Sequence, residues 1–240
     1  MSSLGGQHVV VLGGTSGIGF ATAAAATTAG AKVTIASRSL EKLRHALDRL
    51  GNATNGECVD VTDQAALEQC FNRLAVFDHL AVTVGDTPIG KPVMELTDDE
   101  ARHAFEVRFW GQFNAVRAAY RHIRKTGSIT LISGLASRQP FPGRGIYTAV
   151  ACAVEGMIKS LAVELRPVRI NGVCPGVVNT ELWHRLPEAE RAKTFEQSGA
   201  RLPVGRVAKP EDIADAYVYL MQSGFSTGET IVLDGGALLS

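Results

Sequence analysis

Short apolar runs alternate with amphipathic stretches along almost the whole chain, and that alternation predicts its elements. Residues 8–11 (His8-Val9-Val10-Val11) read as a strand and the alanine-rich residues 20–29 as a helix, with Gly30 as its C-cap. Residues 32–36 read as a buried strand. Between residues 40 and 50, Leu43, Ala46, Leu47 and Leu50 fall on one helical face, and Ser39 stands where a cap belongs. A strand is expected at 57–59, a helix from Thr62 to about Leu74, and a strand at 79–84 closed by Gly85. Thr97-Asp98-Asp99-Glu100 is a capping box and predicts one long helix to about Arg124. Strands follow at 128–133, 168–173 and 230–233, with helices at 147–164, 187–197 and 210–221 between them.

Strand-helix alternation without a long linker, repeat or low-complexity segment predicts an α/β fold. The form expected is a doubly wound parallel sheet of Rossmann type, three layers deep, in a single domain over residues 1–240. Ligands of such sheets bind beyond the carboxyl ends of the strands, so residues just after strands are the informative ones. With 45% hydrophobic residues in 240, the chain can bury a large core. Formal net charge is +0, from 24 basic and 24 acidic residues without a run of one sign, so nothing points to nucleic acid or an anionic membrane. No apolar run approaches the roughly 18–20 residues of a spanning helix. The N-terminal Met1-Ser2-Ser3-Leu4-Gly5-Gly6 lacks the basic start and apolar centre of a signal peptide. Cys58, Cys70, Cys152 and Cys174 show no metal-ligand spacing, and no metal site is expected; they read as reduced thiols of a cytoplasmic protein.

Leu12-Gly13-Gly14-Thr15-Ser16-Gly17-Ile18-Gly19 joins the first strand to the first helix. Glycines at 13, 17 and 19 allow a tight turn, close approach of a ligand and seating of the helix on the sheet. The free N–H groups and positive end of that helix favour a phosphate; the bland reading is a tight turn of some other α/β protein. After the second strand comes Ser37-Arg38-Ser39, with no carboxylate to accept from a ribose 2′-hydroxyl and one guanidinium able to pair with a 2′-phosphate. That favours NADP(H) over NAD(H), against the plain reading of Arg38 as a solvated arginine. Asp60 is placed to accept from an adenine amino group; the alternative is that it caps the helix beginning near Thr62.

At this point the chain resembles the short-chain dehydrogenase/reductase family over nearly its whole length. Gly13 and Gly17-Ile18-Gly19 match the family's cofactor loop, with Leu12 where threonine is usual. Asp60-Val61 match its adenine contact. The segment from Asn171 to Thr180 matches the stretch around the nicotinamide and its phosphate, and Arg206 to Pro210 with Asp234-Gly235-Gly236 match the C-terminal signature. The resemblance implies cofactor contacts at Gly13, Thr15, Ser16, Gly17, Ile18, Ser37, Arg38, Ser39, Asp60, Val61, Gly85, Pro175, Gly176, Val178 and Thr180. It further implies carbonyl/alcohol chemistry on a small molecule and a homodimer or homotetramer.

The family's catalytic group is only partly kept. Tyr147 is present, but Ala151 stands at the lysine position four residues on, and Arg108 aligns with the asparagine of the central helix. Gly134 aligns with the serine, leaving Ser133 as the neighbouring hydroxyl, and Val82-Thr83-Val84-Gly85 replaces asparagine-asparagine-alanine-glycine. A free tyrosine titrates near about 10, so losing a neighbouring ammonium weakens acid/base catalysis worth about 10²–10⁴-fold. Three readings remain. The first is an NADPH-dependent carbonyl reductase or alcohol dehydrogenase in which Tyr147 donates the proton, Ser133 holds the substrate oxygen and Arg108 supplies the missing charge. Arg108 as an ordinary salt-bridged helix arginine is the competing view. The second is an NADP(H)-binding sensor or interaction partner without turnover; the third is lyase- or isomerase-type chemistry on the same scaffold. Residues 181–205 correspond to the substrate lid, where Trp183 and Leu186 suit an apolar substrate and His184 or Arg185 a polar one, or all of them pack on another subunit. Pro140-Phe141-Pro142-Gly143 is expected to line the same pocket.

Overall fold

The computed structural model describes residues 3–51, 54–85 and 90–240. Seven strands form one sheet in the order β3-β2-β1-β4-β5-β6-β7, every neighbouring pair parallel. The strands are β1 (His8–Leu12), β2 (Lys32–Ser37), β3 (Thr54–Cys58), β4 (Phe77–Val82), β5 (Ile123–Ile132), β6 (Arg169–Pro175) and β7 (Thr230–Leu233). The chain winds outward from β1 to β3, crosses back to β4, and winds outward again on the other side. That reversal leaves a crevice between the carboxyl ends of β1 and β4, where open α/β sheets bind ligands.

Period-two alternation sends successive residues of each central strand to opposite faces. Val9, Val11, Val33 and Ile35 pack against α1 (Gly17–Thr28), α2 (Leu40–Leu50) and α8 (Pro210–Gln222). Val10, Leu12, Leu80 and Ile129 pack on the other face against α3 (Gln64–Leu74), α5 (Gly111–Ala119) and α6 (Gly145–Glu164). Phe71 stacks on Phe77 with ring centroids 5.6 Å apart, and both are buried. Full burial of side chains of this kind contributes roughly 1.5–3 kcal/mol each.

Several boundaries differ from expectation for physical reasons. Strand β3 lies at Thr54–Cys58 rather than 57–59, because this edge strand is set by pairing with β2 (Val33 opposite Thr54, Ser37 opposite Cys58) and not by apolar content. Gly56 lets Leu43 and Leu47 of α2 pack onto it: a Cβ there would sit 2.8 Å from Leu47 Cδ1. The long helix expected from Thr97 to Arg124 is divided. Its capping box is as expected, with Thr97 Oγ1 accepting from Glu100 N at 3.2 Å and Glu100 Oε2 accepting from Thr97 N at 3.0 Å. Then α4 (Asp98–Phe105) passes through a π-turn (Glu106–Trp110) into α5, and Ile123 already belongs to β5, opposite Phe77. Helix α7 (Glu188–Arg201) runs past residue 197, the end expected for it. Helix α6 is, by length and composition alone, apolar enough to cross a membrane, contrary to the sequence expectation. Its Val154, Ile158 and Leu161 are buried in the core, however, and it carries Glu155 and Lys159.

The C-terminal signature has a structural role. Asp212 accepts from Arg206 Nη1 and Nη2 at 2.5 and 2.8 Å and from Lys209 N at 2.7 Å, which closes the first turn of α8. The Arg206 guanidinium holds the Asp212 carboxyl down to about 2.

Candidate functional site

On the β1 side of the crevice, Gly13 has φ +86 and Gly17 φ +49, both in the region that favours glycine. A Cβ at Gly19 would lie 2.2 Å from Gly13 O and 2.4 Å from Thr83 Oγ1, so no larger residue fits while α1 rests on this turn. Ser16 precedes α1 in an extended conformation without capping it, and the first turn of α1 carries no acidic residue. The first N–H groups of the helix thus remain available to an anion. Thr15 Oγ1 donates to Ser37 Oγ at 3.3 Å and ties this loop to the turn after β2. Ile18 packs into the core beneath.

In that turn Arg38 is exposed, while Ser39 is used locally: its Oγ accepts from Lys42 N at 3.3 Å as the N-cap of α2. Asp60 does not cap the helix after β3. Asp63 does, accepting from Ala66 N at 2.9 Å. Asp60 Oδ1 accepts from Thr62 N at 2.9 Å, a bond that holds its carboxyl below the ordinary range, with the nearby Arg38 charge acting in the same direction. Val61 is buried against Gly111, where a Cβ would come within 2.8 Å of Val61 Cγ2.

The other wall comes from β6 and the lid. Pro175 ends β6, and Gly176 passes Asp234 so closely that a Cβ would be 3.0 Å from Asp234 Cα. Val178 bridges to Ala208, and its carbonyl accepts from Trp183 Nε1 at 3.0 Å. Trp183 also meets Phe195 edge-on at 5.4 Å, so that indole fastens the lid to its own base. Thr180 Cγ2 and Glu181 Oε2 stand 3.0 and 3.3 Å from where a Gly17 Cβ would be, which brings the lid over the start of α1. A crevice of about 250 Å³ lies here, lined by Gly17, Arg49, Asn179, Thr180, Glu181 and His184 among others.

Tyr147 sits in the first turn of α6, 6% exposed, packed with Ala104 and Val150 and flanked by Phe105, Phe109 and Ile146. Arg108 lies in the π-turn with its guanidinium carbon 5.6 Å from the Tyr147 ring centroid. A Cβ at Gly85 would be 3.4 Å from Arg108 Nη2, so the end of β4 also reaches this group. The π-turn is braced by Gln112, buried, whose Nε2 donates to Arg108 O at 2.6 Å and to Ile132 O at 2.9 Å while Oε1 accepts from Ile132 N at 3.0 Å.

Ser133 does not join this pair. Its hydroxyl donates to Glu155 Oε1 at 3.1 Å and approaches Ala151 O at 3.4 Å, about two turns and one turn beyond Tyr147 along α6. In this structure the Ser133 hydroxyl is thus engaged by Glu155. Glu155 collects Ser133, Ser137 and Arg138, and that network attaches the residues after β5 to α6. At Gly134 a Cβ would meet nothing within 4 Å.

Two hydroxyls hold the central strand ends. Thr83 Oγ1 donates to Leu12 O at 2.9 Å and fills the space that the glycines at 13 and 19 leave. Tyr217, fully buried on α8, donates to Val82 O at 3.3 Å, with its phenol pushed far up by burial. Sequence reasoning passed over Tyr217 and Gln112, because a single aromatic or amide in an amphipathic helix carries no sign of the partner it meets across 135 or 20 residues.

Comparison with known proteins gives a consistent picture. A family model described as enoyl-(acyl carrier protein) reductase matches residues 13–237. The short-chain dehydrogenase/reductase malC of Malbranchea aurantiaca is 31% identical over 253 residues, which span 98% of this chain and 96% of malC. Among solved structures, a small-chain dehydrogenase in complex with NADPH is similar at TM-score 0.87 and 34% identity, covering 98% of this chain and 99% of that one. The MalC reductase/Diels-Alderase from Malbranchea aurantiaca is similar at TM-score 0.90 and 29% identity, covering 98% and 97%.

Proposed function

The chain belongs to the short-chain dehydrogenase/reductase family of oxidoreductases, and from that premise we propose that it is an NADPH-dependent carbonyl reductase with a rearranged catalytic group. The observation that carries this reading is the Arg108 guanidinium 5.6 Å from the ring of the retained Tyr147. A cation here does part of what the absent lysine would do: it offsets negative charge on the phenol oxygen as the proton leaves.

The residues of the crevice fit a dinucleotide. The turn at Gly13, Thr15, Ser16, Gly17 and Ile18 leaves room and free N–H groups for a pyrophosphate. Arg38, exposed and flanked by Ser37 and Ser39, would pair with a 2′-phosphate, while Asp60 and Val61 border the adenine. Gly85, Pro175, Gly176, Val178 and Thr180 would line the nicotinamide end. When bound, the reduced nicotinamide supplies a hydride to a carbonyl carbon. Tyr147 Oη donates a proton to the carbonyl oxygen, and Arg108 stabilises the charge left on the phenol until solvent returns a proton. The buried aromatic setting of Tyr147 limits water at the reacting bond.

The test is a titration with NADPH and NADH, followed by nicotinamide fluorescence. NADPH should bind at least tenfold more tightly, and Arg38→Ala should remove that preference. Tyr147→Phe should keep NADPH binding and lose at least 100-fold in carbonyl reduction, within the range of general acid catalysis. Failure to bind either dinucleotide would overturn the proposal. Binding without hydride transfer to any carbonyl would favour the sensor reading, which the losses at Ala151 and Gly134 also support.

A further inference from the structure

We propose that Gln112 is the positioning residue of this site: its buried side-chain amide sets where β4 and β5 part and holds the turn that carries Arg108. The catalytic consequence rests on the reductase reading; the positioning itself rests on hydrogen bonds.

Strands β4 and β5 pair in parallel register as far as Ala81 opposite Thr130. Just beyond, Thr83 N donates to Leu12 O of β1 and Ser133 N donates to Val173 O of β6. Val82 O and both peptide groups of Ile132 therefore point into the gap between β4 and β5, and the next bond of the ladder would join Ile132 N to Val82 O. The ladder stops short of that bond. Gln112 Oε1 accepts from Ile132 N at 3.0 Å and Gln112 Nε2 donates to Ile132 O at 2.9 Å, so one amide of α5 stands in for a neighbouring strand. Val82 O accepts instead from Tyr217 Oη of α8 at 3.3 Å. Since α5 and α8 cover opposite faces of the sheet, two side chains from different layers hold the strand ends apart.

The same amide reaches the π-turn. Gln112 Nε2 donates to Arg108 O at 2.6 Å, so both of its protons are used, and the residue is 1% exposed. A π-turn widens the helix and turns the side chains on it relative to those beyond. Fixing Arg108 O fixes the backbone from which the guanidinium extends. Arg108 Nη2, Cζ and Nη1 lie 3.4, 3.5 and 3.6 Å from where a Gly85 Cβ would be, and Cζ is 5.6 Å from the Tyr147 ring centroid. Gly85 belongs to the chain that leaves the ladder where Gln112 ends it. Gln112 thus acts on Arg108 from two directions: through the turn that bears it, and through the strand end on which it packs.

The experiment is a double-mutant cycle of Gln112→Met and Arg108→Ala in protein labelled with 3-fluorotyrosine, at saturating NADP⁺. Of the four tyrosine resonances, Tyr147→Phe identifies that of Tyr147 and Tyr217→Phe that of Tyr217. Gln112→Met and Arg108→Ala should each move the Tyr147 resonance, and Gln112→Met should move it no further in the Arg108→Ala background. Gln112→Met should also move the Tyr217 resonance, because Ile132 N then competes for Val82 O. The same cycle is read in kcat for reduction of phenanthrenequinone by NADPH. Gln112→Met should lower kcat about tenfold with KM within about twofold, and add less than about twofold in the Arg108→Ala background. NADPH affinity within about twofold of wild type is the check on folding. Gln112→Glu, which cannot donate to both carbonyls in either protonation state, takes the place of Gln112→Met if that variant does not fold. Effects that add, a Tyr147 resonance unmoved by Gln112→Met, or NADPH binding weakened as much as kcat would each overturn the proposal. A quinone left unreduced by wild type would count against the reductase reading alone, because the fluorine cycle needs no turnover. Intact turnover with additive effects would do the reverse.

Discussion

At the scale of single residues, the site turns on how Arg108 meets Tyr147. A guanidinium near an aromatic ring contributes about 0.5–2 kcal/mol, and here the ring is buried while Gln112 fixes the backbone that carries the cation. Replacing Arg108 by alanine is expected to lower kcat about 100-fold with little change in NADPH affinity, and Arg108→Lys should recover part of the loss. Steady-state kinetics on the two variants checks this, and unchanged turnover in the alanine variant removes Arg108 from the mechanism. The family resemblance singles out Tyr147 and Arg108 in the sequence, and the fold brings them within 5.6 Å of each other. The partner of Ser133 was not legible there, because adjacency in sequence does not say which way a hydroxyl at the end of a strand points; Glu155, 22 residues later, takes it.

Elements decide the cofactor crevice. The turn before α1 works because three backbone segments meet at Gly13, Gly19 and Thr83 with no room for another methyl group. Gly19→Ala should therefore destabilise the protein by about 1–3 kcal/mol, the usual range for overpacking, and weaken NADPH binding at least tenfold. Gly156→Ala on α6, where a new Cβ meets nothing within 4 Å, is the matched control and should leave binding unchanged. Thermal unfolding and the fluorescence titration measure both. Strand and helix identities were readable from apolar period and caps, as at Thr97 and Ser39. The π-turn at Glu106–Trp110 was not, since it is braced by Gln112 bonding to Ile132 at the end of β5 rather than marked by any local signal.

For the whole molecule, acid sensitivity follows from a histidine inside the sheet. His79 on β4 is 3% exposed, and its ring lies between Ser128 Oγ at 2.8 Å and Gln7 Oε1. With Nε2 donating to Gln7, Nδ1 accepts from the Ser128 hydroxyl, an arrangement that suits the neutral ring. Burial pushes its pKa from the ordinary 6.5 to about 4, and the Arg169 charge adds to that. As pH falls, the unfolded chain takes up the proton first, so stability declines from about pH 6.5 down to about pH 4, by roughly 3 kcal/mol at most. Below that the slope from His79 vanishes. The Asp212 carboxyl, held at about 2, adds its own loss only below its ordinary 3.8. Urea midpoints at pH 7.5, 5.5 and 4.5 should fall in wild type and fall less steeply in His79→Gln; equal slopes would remove His79 as the cause.

The alternation of apolar runs by itself determined the α/β class, the parallel sheet and the position of the glycine turn, because these follow from local period and backbone geometry within a few residues. The ordered motifs likewise determined the family. Tertiary structure alone decided which side chains meet. Thr83 and Tyr217 hold the strand ends, Arg108 lies near the Tyr147 ring, and Ser133 turns to Glu155. Each of these depends on side chains from distant elements sharing a few ångströms of space, and spacing along the chain does not encode that distance.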